Sequence, residues 1–160
     1  MAEVEKKHLS WEEFHEMTRE LAGRVEDSGF RPDYLIGITR GGLPPAAIVG
    51  EVLGMKDVTT ISARSYDGVD QGELSVTCLP QVDLRGKKVL LIDEITDTGE
   101  TLVKIANLVA EKYGAEVKTA VVVVNIDHCK QMPDYFVSKT QVWVVFPWQE
   151  WPRRKREEWQ

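Results

Sequence analysis

Apolar positions along this chain follow two different rules. In "SWEEFHEMTRELAGRVEDSG", Ser10 to Gly29, the residues Trp11, Phe14, Met17, Leu21 and Val25 recur at spacings of three and four, which marks one face of a helix. Ser10 with Glu13 three residues on reads as a capping box, and Ser28-Gly29 as a stop. Elsewhere the apolar residues come in short, nearly unbroken runs: "DYLIGIT" (Asp33 to Thr39), "DVTTISA" (Asp57 to Ala63), "KKVLLID" (Lys87 to Asp93), "EVKTAVVVVNI" (Glu116 to Ile126), "DYFVS" (Asp134 to Ser138) and "QVWVVF" (Gln141 to Phe146). Two further helices fall between them. One starts near Pro44-Pro45 with Gly54 past its end; the other, "ETLVKIANLVAEKYG", carries Leu102, Ile105, Leu108 and Val109 on one side, with Gly114 as its stop. Unbroken apolar strands alternating with helices predict an α/β fold, a parallel sheet covered on both faces, with ligands at the carboxyl ends of the strands. Arg64 to Asp83 is polar, without a sustained period, and reads as a long loop of the kind that serves function.

Composition narrows this. At 160 residues the chain suits one domain, 1–160, with a real core. A net charge of −6 argues against a duplex-DNA binder, which needs a basic face, but not against binding phosphorylated small molecules through backbone amides and a magnesium ion. The two cysteines, Cys78 and Cys129, lack CxxC or metal-ligand spacing, so no disulfide framework or zinc site is expected and the reduced cytoplasm is. "MAEVEKKHLS" has no apolar signal-peptide core, and no window approaches the ~18 apolar residues of a membrane span.

Two polar turns fall where the strands should end. In "DEITDTGET", Thr96, Thr98 and Thr101 offer hydroxyls, Gly99 frees the backbone, and the loop opens onto a helix whose first amides lack partners: a cradle for one phosphate, though not a Walker A loop. Asp93 and Glu94 before it suit hydroxyls or a hard cation such as Mg²⁺. A phosphate receptor beside a diol or metal receptor describes a sugar phosphate. Asp97, between the two, can act as general acid or base, or simply cap the helix; a cap needs one carboxylate, and the loop carries three. "TRGGLPP" gives Arg40 for an anion and Gly41-Gly42 for close approach of a ligand; alone it is equally a tight turn with a solvated arginine.

These stretches are similar to those of one family. "VLLIDEITDTGET" resembles the phosphoribosyl-pyrophosphate (PRPP) motif of the type I phosphoribosyltransferases. "GITRGGLPPAAIVGEVLG" is similar to their pyrophosphate loop and its helix, "ISARSYDGVDQGEL" to the start of their flexible lid, and "VWVVFPW" to the base-binding tail of the xanthine-guanine, or purine, branch. The resemblance runs from about Asp33 to Trp148. It implies a parallel-sheet fold with helices on both faces, a lid at about 64–82, and a small base-binding hood built from terminal segments, the C-terminal one at about 125–152. It implies transfer of phosphoribosyl from PRPP to guanine, hypoxanthine or xanthine with Mg²⁺, giving pyrophosphate and a GMP-, IMP- or XMP-type nucleotide, in a homodimer or homotetramer. By the same resemblance Asp93 and Glu94 take the ribose hydroxyls and help hold the Mg²⁺. Asp97, Thr98, Gly99, Glu100 and Thr101 hold the 5′-phosphate, and Asp97 is also the acid/base. Arg40 and Gly41 contact pyrophosphate, Ser65 and Tyr66 sit on the lid, Trp143 stacks on the base, and the Val144 carbonyl accepts from an exocyclic amine.

Three positions depart from that branch. Asn125 stands where a lysine usually donates to the ring oxygen, and an amide, which donates or accepts, leaves 6-oxo against 6-amino open; Lys130, five residues on, is a candidate substitute. Gly72 replaces an arginine and Gln149 an acid. Two other readings stay in play: a regulator on the same fold that binds PRPP or a nucleotide, and a phosphoribosyltransferase for another base. Trp148, Trp151 and Trp159 read as core or interface, "RRKREE" as a solvated helix end, and His8, His15 and His128 as surface or core residues without ligand spacing.

Overall fold

A computed structural model describes residues 5–65 and 74–150. Its elements are β1 (Lys6–His8), α1 (Trp11–Asp27), β2 (Tyr34–Thr39), α2 (Leu43–Val52), β3 (Val58–Ser65), β4 (Leu74–Cys78), β5 (Lys88–Thr96), α3 (Glu100–Tyr113), β6 (Glu116–Asn125), β7 (Tyr135–Thr140), β8 (Trp143–Val145) and a single 3₁₀ turn, Pro147–Gln149. Six strands form one sheet in the order β4-β3-β2-β5-β6-β7. All its pairs are parallel except β3 with β4. Among the described residues no helix is long and apolar enough to cross a membrane.

The unbroken apolar runs are explained by two-sided burial. Along β5, Leu90 and Ile92 point into one core with Phe14, Leu21 and Val25 of α1 and Ala46 and Val49 of α2. Val89 and Leu91 point to the opposite core with Leu102, Ile105 and Val109 of α3. Side chains alternate along a strand, so a strand covered on both faces must be apolar at every position. Burial of each such leucine or valine contributes roughly 1.5–3 kcal/mol relative to exposure. The capping box on α1 is present: Glu13 N–H donates to Ser10 Oγ at 3.1 Å and Ser10 N–H donates to Glu13 Oε2 at 2.8 Å. The backbone hydrogen bond from Ser10, with that of its hydroxyl, holds the Glu13 carboxyl below the usual carboxylate range.

Four features depart from the pattern reading. Strand β5 runs three residues past Asp93, so Asp93 and Glu94 lie within its last turns of pleat and the phosphate-type loop begins only after Thr96. Inside the polar stretch lies β4, whose Leu74 and Val76 pack against the α3-side core and which pairs antiparallel with the end of β3. The run "QVWVVF" contributes β8, which does not join the main sheet; it pairs in parallel with β1, Lys6 opposite Trp143 and His8 opposite Val145. This small sheet is made of the two terminal segments and stands beside an aromatic cluster in which Trp148 stacks on Phe146, centroids 5.0 Å apart, and meets Phe14 edge-on at 4.9 Å. Trp11, expected on the apolar face of α1, is instead 57% exposed and leans on Trp148 at 5.9 Å.

Candidate active site

The chain leaves β2 by a crossover to β3 on one side, and leaves β5 by a crossover to β6 on the other. The carboxyl ends of β2 and β5 therefore flank the point where the winding reverses, where an open parallel sheet leaves a crevice. Both loops singled out in the sequence open into it. From β2 come Arg40, exposed, and Gly41, after a cis Thr39–Arg40 peptide. From β5 come Asp93, Glu94 and Asp97. The two loops touch: a Cβ placed on Gly41 would fall on the Glu94 carboxylate. Any side chain there would displace the acid, so glycine is what lets a backbone amide of one loop face the carboxylates of the other.

Asp93 and Glu94 share one environment. Burial pushes the Asp93 carboxyl well above the ordinary carboxylate range, and the neighbouring Glu94 carboxyl raises it further through a hydrogen bond and its charge. The Glu94 N–H, donating to Asp93 Oδ1 at 2.9 Å, pulls the other way. Two carboxyl groups that cannot both be charged at no cost form a donor set a hard cation relieves. They fit Mg²⁺, which takes one or two protein carboxylates and fills its remaining positions with water and substrate phosphate. No group of three or more candidate ligands occurs among the described residues.

Beyond Thr96 the loop turns into α3. Gly99 is the N-cap, in the left-handed region at φ 86°, and supplies no capping side chain. Thr98 Oγ accepts from Glu100 N–H at 3.3 Å, while exposed Glu100 and half-buried Thr101 begin the helix. The amides of this first turn are the ones a bound anion satisfies. Asp97 is not the cap. Its Oδ1 meets His128 Nδ1 at 2.8 Å, each side chain more than half exposed.

His128, which the sequence left as a surface or core residue, belongs to the loop after β6. That loop is fastened to the β5 loop by main chain: Lys130 N–H donates to Thr98 O at 3.0 Å and Gln131 N–H to the same oxygen at 3.4 Å. A Cβ on Gly99 would strike the Gln131 carbonyl. One signal was available: "NIDHCKQ" is a third polar turn at the carboxyl end of a central strand. Asn125 ends β6, half-buried; its Oδ1 accepts from Asp127 N–H at 3.2 Å and its Nδ2 lies 3.4 Å from His128 Nδ1. Lys130 is exposed and joins the site through its backbone.

Trp143 on β8 is 63% exposed, whereas the Val144 side chain is buried. Trp143 N–H donates to Glu5 O at 3.1 Å and Leu9 N–H to Val145 O at 3.0 Å. Peptide groups alternate in direction along a strand, so those two residues turn theirs to β1 and Val144 turns its carbonyl to the opposite edge. Ser65 closes β3 opposite Leu74. Tyr66, Gly72, Trp151, Trp159 and "RRKREE" lie outside the described residues.

The sequence profile of the phosphoribosyl transferase domain family matches residues 10–153. The chain is 34% identical over 150 residues to a xanthine-guanine phosphoribosyltransferase of Cereibacter sphaeroides, covering 88% of this chain and 85% of that protein. Its fold is similar to that of a purine phosphoribosyltransferase from Pyrococcus horikoshii, with a TM-score of 0.81, 34% identity, and coverage of 94% of this chain and 99% of the other. A xanthine-guanine-hypoxanthine phosphoribosyltransferase of Helicobacter pylori also superposes with a TM-score of 0.81, at 26% identity over 91% of this chain and 95% of its own.

Proposed function

The chain belongs to the phosphoribosyl transferase family, and from that premise we propose that it is a purine phosphoribosyltransferase of nucleotide salvage. It would join the phosphoribosyl group of PRPP to a 6-oxopurine, guanine, hypoxanthine or xanthine, releasing pyrophosphate and the nucleoside monophosphate. The observation that carries this is the meeting of Gly41 with Glu94, which puts an anion-type loop against a carboxylate pair, with an open helix N-terminus on the same strand.

The residues divide the work by chemistry. Asp93 and Glu94 would accept from the ribose hydroxyls and hold the magnesium ion. Bound magnesium would supply positive charge to the leaving pyrophosphate. Arg40 would pair with the same oxygens, and the Gly41 amide would approach them without a side chain in the way. The turn from Asp97 through Thr98, Gly99, Glu100 and Thr101 would hold the 5′-phosphate by amides and hydroxyls. As the bond between the anomeric carbon and pyrophosphate breaks, a purine ring nitrogen forms the new bond, and Asp97 would take the proton that nitrogen gives up. Trp143 would stack on the base and the Val144 carbonyl would accept from its exocyclic amine. Ser65 and Tyr66, on a lid spanning about 64–82, would keep water from the electron-poor sugar. A homodimeric or homotetrameric assembly and a cytoplasmic location belong to the same proposal; the two free cysteines suit a reducing compartment.

The test is direct. The protein is incubated with PRPP, Mg²⁺ and each of hypoxanthine, guanine, xanthine, adenine, uracil and orotate, and nucleotide and pyrophosphate are followed. Turnover with 6-oxopurines is expected. Tight PRPP binding without turnover of any base would make the chain a PRPP-binding regulator, and turnover confined to a pyrimidine would move it to another branch. Asn125→Lys is expected to sharpen the preference for 6-oxo bases; an unchanged base profile would remove Asn125 from the base pocket.

A further inference from the structure

The Asp97–His128 contact does little for stability. Both side chains are more than 60% exposed, and ion pairs of that kind contribute between zero and about 1 kcal/mol. Its geometry is nonetheless fixed. The loop that carries His128 is bonded to the Thr98 carbonyl through two amides and is bent on itself by Cys129 N–H donating to Asn125 O at 3.0 Å. Gln141 Nε2 donates to Asp127 Oδ1 at 2.9 Å, which ties the loop to the far end of β7. Main-chain and side-chain bonds thus fix the loop that carries His128 beside the β5 loop, with the imidazole against the Asp97 carboxylate rather than the Asp93–Glu94 pair.

The hydrogen count settles the direction of the contact. A carboxylate at 2.8 Å accepts, so Nδ1 carries the hydrogen. The Asn125 amide nitrogen at 3.4 Å from Nδ1 is also a donor and cannot share that hydrogen; its oxygen is engaged with Asp127 N–H. Asn125 therefore bounds the imidazole on its other side rather than competing for Asp97. With one lone pair of Oδ1 engaged by the imidazole, Oδ2 is the less encumbered oxygen to receive a proton.

We propose that His128 is the positioning residue for Asp97: its Nδ1–H holds Oδ1 and so presents Oδ2 to the purine nitrogen that is losing its proton. This rests on the activity proposed above. It requires the Nδ1–H tautomer, which an unpaired imidazole disfavours, and it requires a donor at the Nδ1 place and no other. Asparagine can put its amide nitrogen at that place, whereas the amide nitrogen of glutamine reaches the place of Nε2.

The experiment uses the chain of residues 1–160. In ¹⁵N spectra of the histidines above neutral pH, the His128 imidazole is expected to be Nδ1–H, and to lose that signature in Asp97→Ala, which leaves no acceptor. In kinetics, His128→Phe is expected to lower kcat by about tenfold while KM for PRPP stays within about twofold, a split that marks an effect on the chemical step. His128→Asn is expected to recover most of the loss and His128→Gln little of it. An Nε2–H imidazole in the wild type, a His128→Phe variant as fast as wild type, or equal recovery by Asn and Gln would each overturn the proposal. A wild type inert towards every base would count against the activity instead, and the pairing would then be judged on the imidazole spectrum.

Discussion

Asp97 differs from the two carboxylates before it in what it meets: an imidazole and solvent, where Asp93 and Glu94, both half-buried, meet each other. Different tests follow for each. Asp97→Asn is expected to lower kcat by about 10²-fold or more, the scale of a lost general acid or base, with PRPP affinity nearly unchanged in a binding titration. Equal losses in both would make Asp97 a ligand. Asp93 answers to pH. Its carboxyl titrates above the ordinary range in the folded chain, so between that range and its raised value the folded state holds a proton the unfolded state has lost. Its contribution is present at low pH and is lost as pH rises through the window. In magnesium-free buffer, Tm of the wild type is expected to fall across that window more steeply than Tm of Asp93→Asn, and added Mg²⁺ to restore part of the loss; parallel curves for the two proteins would refute the account.

Among the elements, the loop after β2 is the most exacting. Gly41→Ala would place a methyl group on the Glu94 carboxyl. PRPP-dependent turnover is expected to drop by about tenfold or more while Tm changes by only a few degrees, since the clash lies at the crevice and not in either core. Helix α1 offers the opposite case: Ser10→Ala removes the cap and is expected to cost about 1 kcal/mol in a urea titration with turnover intact. These elements were legible in the sequence because their signals are local. The capping box, the glycine stops and the unbroken runs of β2, β5 and β6 each state a physical need over a few residues. What was not legible is what depends on distant partners. Leu74 and Val76 do alternate, but a five-residue half-exposed strand carries too few positions to separate it from a loop. "KKH" is polar throughout and becomes β1 because β8 lies alongside it. His128 has no spacing relation to Asp97; only the register of β5 beside β6 brings their loops together.

At the level of the whole molecule, the crevice has two ends made in different ways. As proposed, the phosphate end would rest on the central strands of the six-stranded sheet, and the base end on the two-stranded sheet that joins residues 6–8 to 143–145. A chain shortened to begin at Leu9 keeps both cores and the α1 cap but strips β8 of its neighbour. Such a chain is expected to bind PRPP as before, by calorimetry, and to show a KM for the base raised about tenfold, the loss of part of a stacking and hydrogen-bonding site. An unchanged KM would detach the small sheet from base recognition.

The pairing of β1 with β8 also bears on how the protein is made. During synthesis, residues 6–8 emerge early and find no strand to join until residues 143–145 leave the ribosome. Pairings so remote in sequence close a large loop and are slow compared with the local βαβ steps that build the main sheet. The six-stranded sheet can therefore pair while the small sheet is still open and one of its two cores still awaits Val144 and Phe146. On the proposed assignment, a chain stalled short of residue 143 would carry the loops meant for PRPP without the small sheet meant for the purine.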